Sequence, residues 1–413
     1  MKNWIKIAFR NIIKNRRRSM ITILAIGIGF SAICLFRGYI SSIDEGLRNS
    51  AICGEGLAHL TIYKKGWLEN GKIDPANYLF SKEEYTRIIQ ILTKLDNVRL
   101  STPQLTITGI ASNGNNSTIF IADGVVAKDD EQIRKGVNPQ QLSEKNNSLH
   151  SSNNHEGIVS EDLSRYLNLK KGDYVILMST TLEGQMNAMD LDITGIYNTG
   201  SKATNDKFIR LPFNFAQSLY DTNGADKILV LLNDWKDTWK VKSEILQLLT
   251  NYGISCEVQT WCERSVMYAQ VKKMFQVIFI FIFIIVLFIV IMSTINTMAM
   301  SVIERTREIG TIRAFGVKQR KVVTMFSIEG AIIGLLGALV GTVIYISACG
   351  LIQYIHPTYT PPGVSTPVPL IVHILPGAIF QFTCFMVLLS FLSAIIPARY
   401  ASKQSIIDAL GHI

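Results

Sequence analysis

Long parts of this 413-residue sequence lack charge altogether. No Asp, Glu, Lys or Arg occurs at positions 330–398, and residues 20–36 and 277–295 are likewise uncharged and apolar. An apolar run of about 20 residues can cross a bilayer as a helix, so these stretches exclude a purely soluble protein. We predict four membrane spans, at residues 20–40, 274–301, 322–351 and 376–397.

Signatures of an enzyme are also missing. The sequence has no GxxxxGK[S/T] loop to cradle nucleotide phosphates, no HExxH zinc motif and no GxSxG nucleophile motif. Its six cysteines and six histidines form neither a CxxC pair nor a Cys/His cluster, which argues against a metal site. We therefore predict no catalytic residue, no metal and no cofactor within this chain.

The sequence leaves the pairing of its cysteines open. Three fall in predicted spans, where we interpret them as packing residues: Cys34, Cys349 and Cys384. The other three fall between the first two spans, on a side of the membrane that permits disulfides: Cys53, Cys256 and Cys262. Cys53 can pair with either of the other two if the ends of that segment meet.

The charge that is present lies largely near the ends of the spans. The net charge is +9; basic residues concentrate at 14–18 and 303–321, whereas residues 353–375 carry none. Basic flanks mark the cytoplasmic side of a span, so both termini and residues 303–321 are predicted to be cytoplasmic. This distribution explains the positive charge without a nucleic acid partner.

Residues 1–19 have the pattern of an interfacial helix. Apolar side chains recur on one helical face: Ile5, Ala8, Phe9 and Ile12. Basic side chains lie opposite them: Lys6, Arg10 and Lys14. This arrangement predicts an amphipathic helix that lies along the cytoplasmic surface of the membrane.

Residues 41–273 have the pattern of a soluble α+β domain between the first two spans. Ser81 and Glu84 have the spacing of a capping box, which predicts a helix over 81–95. Alternating apolar and polar residues at 190–197 predict a half-buried strand. The Asn- and Ser-rich residues 137–156 predict an exposed loop.

The most informative stretch, residues 302–321, follows the second predicted span. Its charged residues include Glu304, Arg305, Arg307, Glu308 and Arg313. Opposite charges three positions apart become neighbours on one helical surface. An apolar stripe at helical spacing follows, formed by Ile309, Ile312 and Phe315. Gly316 is the predicted end of the helix. The spacing alone fits a helix that docks on a partner and a plain charged loop equally well.

The letters of this stretch, ERTREIGTIRAFG, resemble the segment after the second transmembrane helix in ABC transporter permeases of the MacB, LolC/LolE and FtsX superfamily. Two flanking stretches support the resemblance: SIEGAIIGLLGALVG at 327–341 and PARYASKQSIIDAL at 397–410. In the outer domain, EDLSRYLNLKKGDYVIL at 161–177 is similar to the LolC and LolE type. The resemblance covers essentially the whole chain.

The resemblance implies a permease subunit in the bacterial inner membrane, with a large periplasmic α+β domain between its first two transmembrane helices. Residues 304–316 are then the coupling helix that docks on a separate cytoplasmic ATPase, which binds ATP and Mg²⁺. The family pattern implies two permeases, identical or different, and two ATPases. Conformational changes of the ATPases then move the periplasmic domains (mechanotransmission). The parts outside the four spans are residues 1–19, 41–273, 302–321, 352–375 and 398–413.

Three functions remain open within this superfamily. We favour extraction of lipoproteins or lipids from the outer leaflet of the inner membrane, as the LolC/LolE type implies, with a LolA-like periplasmic carrier as a candidate partner. The second function is MacB-like efflux with a periplasmic adaptor. The third is FtsX-like regulation of a cell-wall hydrolase.

Lipid energetics predict where a lipoprotein enters. Exposing three acyl chains of roughly 15 methylenes each to water costs on the order of 36 kcal/mol, so the chains must slide directly into an apolar cavity. The first two spans are the predicted walls of this cavity, because the outer domain is connected to both. The candidate gate residues are Ile33, Leu35, Phe36, Arg37, Tyr39, Met274, Phe275, Ile278 and Phe279.

Glu329 is the one acidic residue inside a predicted span. Carboxylates within the membrane are functional candidates, and this one lies about two turns from Lys321, near the cytoplasmic end. We predict that Glu329 pairs with a cytoplasmic arginine and has a structural or coupling role rather than a role in proton transport.

Overall fold

The computed structural model describes residues 10–11, 16–71, 73–135, 149, 155–360, 364–365 and 367–403. The chain divides into two compact units. The helical unit consists of residues 1–44, 272–357 and 369–413, and the α/β unit consists of residues 45–271 and 358–368. Most of the predicted helix at 1–19 and of the predicted loop at 137–156 lies outside the described residues.

Helices and strands account for most of the described chain. The helices are α1 (Arg16–Asn49), α2 (Trp67–Asn70), α3 (Pro75–Tyr78), α4 (Lys82–Leu92), α5 (Ala127–Arg134), α6 (Glu161–Tyr166), α7 (Lys202–Asn205), α8 (Phe213–Tyr220), α9 (Thr238–Asn251), α10 (Trp261–Arg264), α11 (Val266–Glu304), α12 (Thr306–Ala314), α13 (Gln319–Ile355) and α14 (Pro376–Lys403). The strands are β1 (Leu60–Lys64), β2 (Val98–Ser112), β3 (Ser117–Val125), β4 (Glu156–Ser160), β5 (Tyr174–Thr180), β6 (Met186–Tyr197), β7 (Phe208–Pro212), β8 (Lys227–Leu232), β9 (Cys256–Thr260), β10 (Thr358–Tyr359) and β11 (Val368–Pro369). Short π and 3₁₀ turns lie at Ser50–Gly54 and Trp235–Asp237.

Among the described residues, four helices are long and apolar enough to cross a membrane: α1, α11, α13 and α14. Helices α1 and α11 each contain one of the uncharged runs seen in the sequence, and α13 and α14 share the long run at 330–398. Their shared core is formed by apolar side chains from all four helices, including Ile26, Phe30, Val290, Ile333, Tyr345 and Met386. The predicted fold class is therefore confirmed: four membrane helices, with an α+β domain between the first and the second.

Glycines allow α13 to approach two neighbouring helices closely. A Cβ atom at Gly341 would lie 2.6 Å from the carbonyl oxygen of Gly27 in α1. A Cβ atom at Gly330 would lie 2.7 Å from the Cβ of Ala394 in α14. Small residues permit the backbone-to-backbone packing that holds membrane helices together where lipid removes the hydrophobic driving force. Helix α13 therefore has one glycine face for α1 and another for α14.

One lobe of the α/β unit has a βαββαβ arrangement. Strands β2, β8, β1 and β9 pair in that order, all antiparallel, and helices α4 and α9 provide the two connections. Both helices bury apolar side chains against the sheet, including Ile88 and Leu92 of α4 and Ile245 of α9. This lobe is ferredoxin-like in topology, with residues 105–226 inserted between its second and third strands.

The inserted residues form a closed ring of strands. Strand β2 continues past the lobe and pairs with β3 on one side and β5 on the other. The remaining contacts run β3–β7–β4–β6–β5, so the ring returns to β2. Helix α8 packs against β2, β3, β5, β6 and β7, and Phe215 and Leu219 of this helix are fully or almost fully buried. The ring thus has a filled apolar core.

Local sequence patterns in the α/β unit agree with the structure. The Ser81 hydroxyl accepts from the N–H of Glu84 at 3.2 Å, and the Glu84 carboxylate accepts from the N–H of Ser81 at 2.8 Å. This is the predicted capping box at the start of α4. The alternating stretch at 190–197 forms the second half of β6, with Leu191 and Ile193 buried in the ring core.

None of the six cysteines, all of which the structure describes, forms a disulfide. The two ends of the α/β unit do come together, because Cys53 and Cys262 pack against one apolar cluster. Cys256 packs against a different cluster, in the lobe. The suggested pairing of Cys53 with Cys256 or Cys262 is therefore absent from the structure, although the proximity behind it is present for Cys262.

One methyl group at Gly341 is expected to destabilise the helical unit. Gly341→Ala places its Cβ against Gly27 and Phe30, and overpacking of this kind costs about 1–3 kcal/mol. Gly350→Ala, in the same helix, is the matched control because no atom lies within 4 Å of its Cβ position. Thermal unfolding in detergent micelles should occur at a lower temperature for the first variant only. Equal unfolding temperatures for the two would contradict the close approach of α1 and α13.

Candidate functional site

Helix α12 is a short charged helix between two long apolar ones. Helix α11 ends at Glu304, and Arg305 leaves helical geometry with φ −115° and ψ 17° before α12 begins at Thr306. The carbonyl of Arg305 accepts from the N–H of Ile309 at 2.9 Å, which starts the new helix. Gly316 has φ 87°, the left-handed conformation that favours glycine after a helix end. The chain then turns into α13.

The two faces of α12 differ in burial. Ile309 is buried in a cluster with Val302, Val322 and Phe326, and Ile312 is half-buried. Arg307 and Glu308 are exposed, while Arg313 is half-buried and has a partner. Of the two arrangements that the spacing fitted equally well, the amphipathic helix is present, with one face packed against the helical unit and the other exposed.

Phe315 departs from the predicted apolar stripe. Its side chain is 85% exposed, whereas Ile309 in the same predicted stripe is 4% exposed. The physical reason is that α12 ends at Ala314, so the helical periodicity no longer applies at position 315. A large aromatic ring is therefore exposed seven residues after Glu308, on the segment predicted to dock.

Two of the predicted coupling residues have partners on other helices. Glu304 accepts from Arg18 of α1 at 2.9 Å, and both side chains are about 40% exposed. Arg305 donates to Glu329 of α13 at 3.3 Å. The spacing of three had predicted instead that Glu304 neighbours Arg307 and that Arg305 neighbours Glu308. The helix breaks at Arg305, so the three-residue spacing rule does not carry across that point.

Glu329 and Arg305 form a buried ion pair in the helical unit. The exposed fractions of their side chains are 4% and 7%. Asn11 also approaches the Glu329 carboxylate, at 3.5 Å. The second terminal nitrogen of Arg305, Nη2, has no hydrogen-bond partner among the described residues. The predicted pairing of Glu329 with an arginine near the end of its span is confirmed.

The candidate gate residues fall into three groups. Four aromatic rings meet where α1 and α11 lie side by side: Phe36, Tyr39, Phe275 and Phe279. Ring centroids are 6.2 Å apart for Phe36 and Phe275 and 5.8 Å apart for Tyr39 and Phe275. Ile33 lies in the helix core and Leu35 packs against it. Arg37, Met274 and Ile278 are exposed. The structure therefore gathers the aromatic members and separates the others from them.

The aromatic cluster extends further than the sequence indicated. Phe283 lies beside Phe279 with centroids 6.1 Å apart, and Phe385 of α14 lies 5.2 Å from Phe283. Phe382 of α14 contacts Phe279 at 6.4 Å. The spacing of four between Phe275, Phe279 and Phe283 was a signal for one aromatic face on α11. Nothing in the sequence pairs that face with α14.

Metal-binding geometry is absent from the described part of the chain. No group of three or more His, Cys, Asp or Glu side chains there is arranged to hold an ion.

Two family models match this chain. The MacB-like periplasmic core domain matches residues 19–248, and the FtsX-like permease C-terminal domain matches residues 280–406. The first covers more than half of the sequence. The chain belongs to the MacB/FtsX family of ABC transporter permeases, which joins a periplasmic-type core domain to a membrane-helix domain.

Relatives along nearly the full length are also ABC transporter permeases. YknZ of Bacillus subtilis is 23% identical over 419 residues, covering 99% of this chain and 98% of its own. LolC of Buchnera aphidicola, a lipoprotein-releasing system transmembrane protein, is 21% identical, covering 94% and 91%. The macrolide export ATP-binding/permease protein MacB of Pasteurella multocida is 24% identical over 84% of this chain, which spans 52% of MacB.

Two solved domains are similar in part. The extracellular domain of YknZ matches 49% of this chain and 99% of its own, with 16% identity and a TM-score of 0.34. The periplasmic region of MacB from Actinobacillus actinomycetemcomitans matches 50% of this chain and 91% of its own, with 14% identity and a TM-score of 0.37.

Removing Glu329 alone should destabilise the helical unit strongly. Glu329→Ala leaves the buried charge of Arg305 without its counter-ion, which costs about 3–5 kcal/mol. The double variant Arg305→Met with Glu329→Met should recover most of that loss, because no buried charge remains. Arg18→Ala is the control, since its pair with Glu304 is exposed and worth about 1 kcal/mol or less.

Denaturation of the purified protein in mixed micelles measures these differences. A loss of stability in Glu329→Ala no larger than that in Arg18→Ala would show that the Arg305–Glu329 pair is not buried as described.

Proposed function

We propose that this chain is the permease subunit of an ABC transporter that converts the strokes of a separate ATPase into movement of its outer domain. The observation that carries the proposal is α12, a short helix fixed by Ile309 on one face and open on the other. Its family membership supports this role, because permeases of this type work with an ATPase. ATP and Mg²⁺ then belong to the partner.

The open side of this segment has the composition of a docking surface. Arg307 and Glu308 offer charges of both signs, and Phe315 offers an exposed aromatic ring. Aromatic side chains that fill a partner's pocket carry much of the energy of protein interfaces. We propose that two copies of the ATPase bind two permeases at this surface from the cytoplasmic side, an orientation that the basic flanks support. The α/β unit is then periplasmic.

Removing the exposed ring should release the ATPase. Phe315→Ser deletes the proposed anchor without leaving a cavity, since the side chain is 85% exposed. The charge variant Glu308→Ala with Arg313→Ala is expected to weaken the same contact. Tyr354→Ser is the matched control, because Tyr354 is also 85% exposed but lies at the opposite end of α13. Co-purification of the ATPase with the tagged permease measures binding.

We expect the ATPase yield to fall at least tenfold for Phe315→Ser and to stay unchanged for Tyr354→Ser. Full ATPase binding and activity in both the Phe315 variant and the Glu308/Arg313 variant would overturn the coupling assignment.

We further propose that the substrate is a lipoprotein or lipid taken from the outer leaflet of the inner membrane. Acyl chains must move from lipid to protein without crossing water, because full exposure costs on the order of 36 kcal/mol. The aromatic cluster on α1, α11 and α14 supplies an apolar surface for them. Its rings are half-buried, so each keeps a face open for contact. The similarity to LolC supports this substrate class.

Efflux in the manner of MacB is the second candidate. The MacB-like periplasmic core model and the similarity to MacB favour it. An efflux permease would use its outer domain to hold a periplasmic adaptor rather than to pass a lipid to a soluble, LolA-like carrier. The two candidates therefore differ in what touches the aromatic cluster.

A photo-crosslinking amino acid distinguishes the two. Placed at Phe36 or Phe275, it should capture a lipoprotein or lipid, and ATP should change the yield. Phe281 is the control position: it lies on the same helix as Phe275 but is 65% exposed and outside the ring contacts described for the cluster. We expect ATP-independent capture of bulk phospholipid there.

Capture of a periplasmic adaptor at Phe36 would favour the efflux function. ATP-independent capture of bulk phospholipid at Phe36, as at Phe281, would contradict the proposal that the aromatic cluster is a substrate gate.

A further inference from the structure

The end of α1 is unusual in its geometry. The helix is regular to Asn49 and continues as the π turn Ser50–Gly54, where Glu55 donates its N–H to the carbonyl of Ser50 at 2.7 Å. Such turns are rare and are often found at functional sites. Residues 16–44 of α1 belong to the helical unit, and residues 45–49 belong to the α/β unit. The last five residues of α1 and the π turn therefore both lie in the α/β unit.

Arg134 holds the last carbonyl of this turn. Its Nη1 donates to the carbonyl oxygen of Gly54 at 2.8 Å. Carbonyls at a helix end lack intrahelical partners, and a positive charge there complements the helix dipole. The same guanidinium donates from Nε to both carboxylate oxygens of Asp130, at 3.1 and 3.0 Å. One planar group thus joins the end of α1 to α5.

The connection continues into the ring. Asp130 also accepts from Arg210 of β7 at 3.4 Å, and the exposed fractions of the three side chains are only 3–13%. The Arg210 guanidinium lies over the ring of Tyr197 in β6, 4.8 Å from its centroid. Four residues therefore form a continuous, nearly buried path from Gly54 to two strands of the ring. Charge-assisted contacts in such surroundings are stronger than neutral hydrogen bonds.

The π turn also packs against the start of α11. Ala51 and Ile52 share an apolar cluster with Trp261 and Tyr268, whose ring centroids are 4.6 Å apart. Ile133, next to Arg134 in α5, lies in the same cluster. The end of one membrane helix and the beginning of the next are thus gathered at the point where Arg134 makes its contacts.

A small cavity beside Arg134 has a lining of both polar and apolar residues. It is lined by Arg134, Arg210, Asp130, Gln104 and Thr102, among others. The Oε1 atom of Gln104 and the Oγ1 atom of Thr102 are buried without a partner among the described residues, as expected of atoms that bind internal water. Burial raises the pKa of Glu55, another lining residue, and Arg264 opposes that shift.

Gly56 keeps the space next to the guanidinium clear. It has φ 72°, and a Cβ atom there would lie 2.9 Å from Nη2 of Arg134. A side chain at this position would push the arginine away from Gly54. The backbone is therefore shaped around the arginine.

We propose that Arg134 is the positioning residue that transmits movement of α1 to the ring of the outer domain. The inference rests on the proposed ATP-driven function and names the residue through which the movement of α1 reaches the ring. The apolar cluster keeps α1 and α11 together, and the path Gly54–Arg134–Asp130–Arg210 makes the ring follow them. Without Arg134, the helices still move but the ring no longer moves with them.

The test measures movement of the ring directly. Spin labels are carried on p-acetylphenylalanine, which leaves the native cysteines in place, at Gly377 of α14, as the reference position in the helical unit, and at Glu183 of the β5–β6 turn. No atom lies within 4 Å of the Cβ position of Gly377, and Glu183 is exposed. The full-length permease with its ATPase, in lipid nanodiscs, is compared without nucleotide and with ATP plus vanadate. Pulsed electron resonance gives the distance distribution between the labels.

Arg134→Gln should lose at least half of the ATP-dependent change in distance, at unchanged ATPase binding and ATP hydrolysis. Arg134→Lys keeps the positive charge but not the fork that reaches two acceptors, so an intermediate change is expected, and this variant stands in if Arg134→Gln fails to fold. Arg165→Gln is the matched control, because Arg165 pairs with Glu161 and Asp162 on the exposed surface of the same ring.

A full distance change in Arg134→Gln or, if that variant does not fold, in Arg134→Lys would overturn the inference. An equal loss in Arg165→Gln would also overturn it, since any lost arginine would then have the same effect. No ATP-dependent change in the unmodified protein would instead contradict the proposed function itself.

Discussion

The buried pair of Arg305 and Glu329 is the interaction on which the arrangement of the helical unit depends. A charged guanidinium among apolar helices must find a counter-ion, and Glu329 of α13 supplies it at 3.3 Å. To reach it, the chain leaves helical geometry at Arg305 and begins α12 with the carbonyl of that same residue. The side chain fixes α11 to α13, while the backbone sets where α12 starts. Any displacement of α12 must therefore strain the contact with Glu329.

The contacts around Arg305 and those around Arg134 follow the same physical logic. Each arginine stands where a long helix ends, and each satisfies a carboxylate while its neighbouring backbone begins or completes another element. Apolar packing holds helices together but allows them to slide. A buried ion pair adds direction, because its strength depends on distance and alignment. Both arginine sites thus combine an adaptable apolar cluster with one directional contact.

Sequence patterns were sufficient for what depends on neighbours along the chain. The spans follow from uncharged runs, the capping box at Ser81 follows from a spacing of three, and the stop at Gly316 follows from the residue type. The type of residue that pairs with Glu329 was predictable, because Glu329 lies close to Lys321 along the span and therefore near basic residues. The position of Phe315 was not, because it required knowing that α12 stops one residue earlier.

Contacts between distant segments were beyond sequence reasoning. Phe382 and Phe385 join the aromatic cluster only because α14 lies beside α11. The closed ring depends on β2 pairing with three different strands along its length, and no local alternation encodes that. Cys53 and Cys262 meet against one cluster without bonding, which neither spacing nor compartment decides.

The insertion of the ring into the lobe has a consequence for how such proteins diversify. Gln104 and Lys227, where the chain leaves and re-enters the lobe, face each other across paired strands. Their separation in space is that of any two partners in a sheet, about 5 Å, although more than a hundred residues lie between them. The lobe is thus complete without the ring. Mutation and recombination can remodel the inserted module while the lobe itself stays the same.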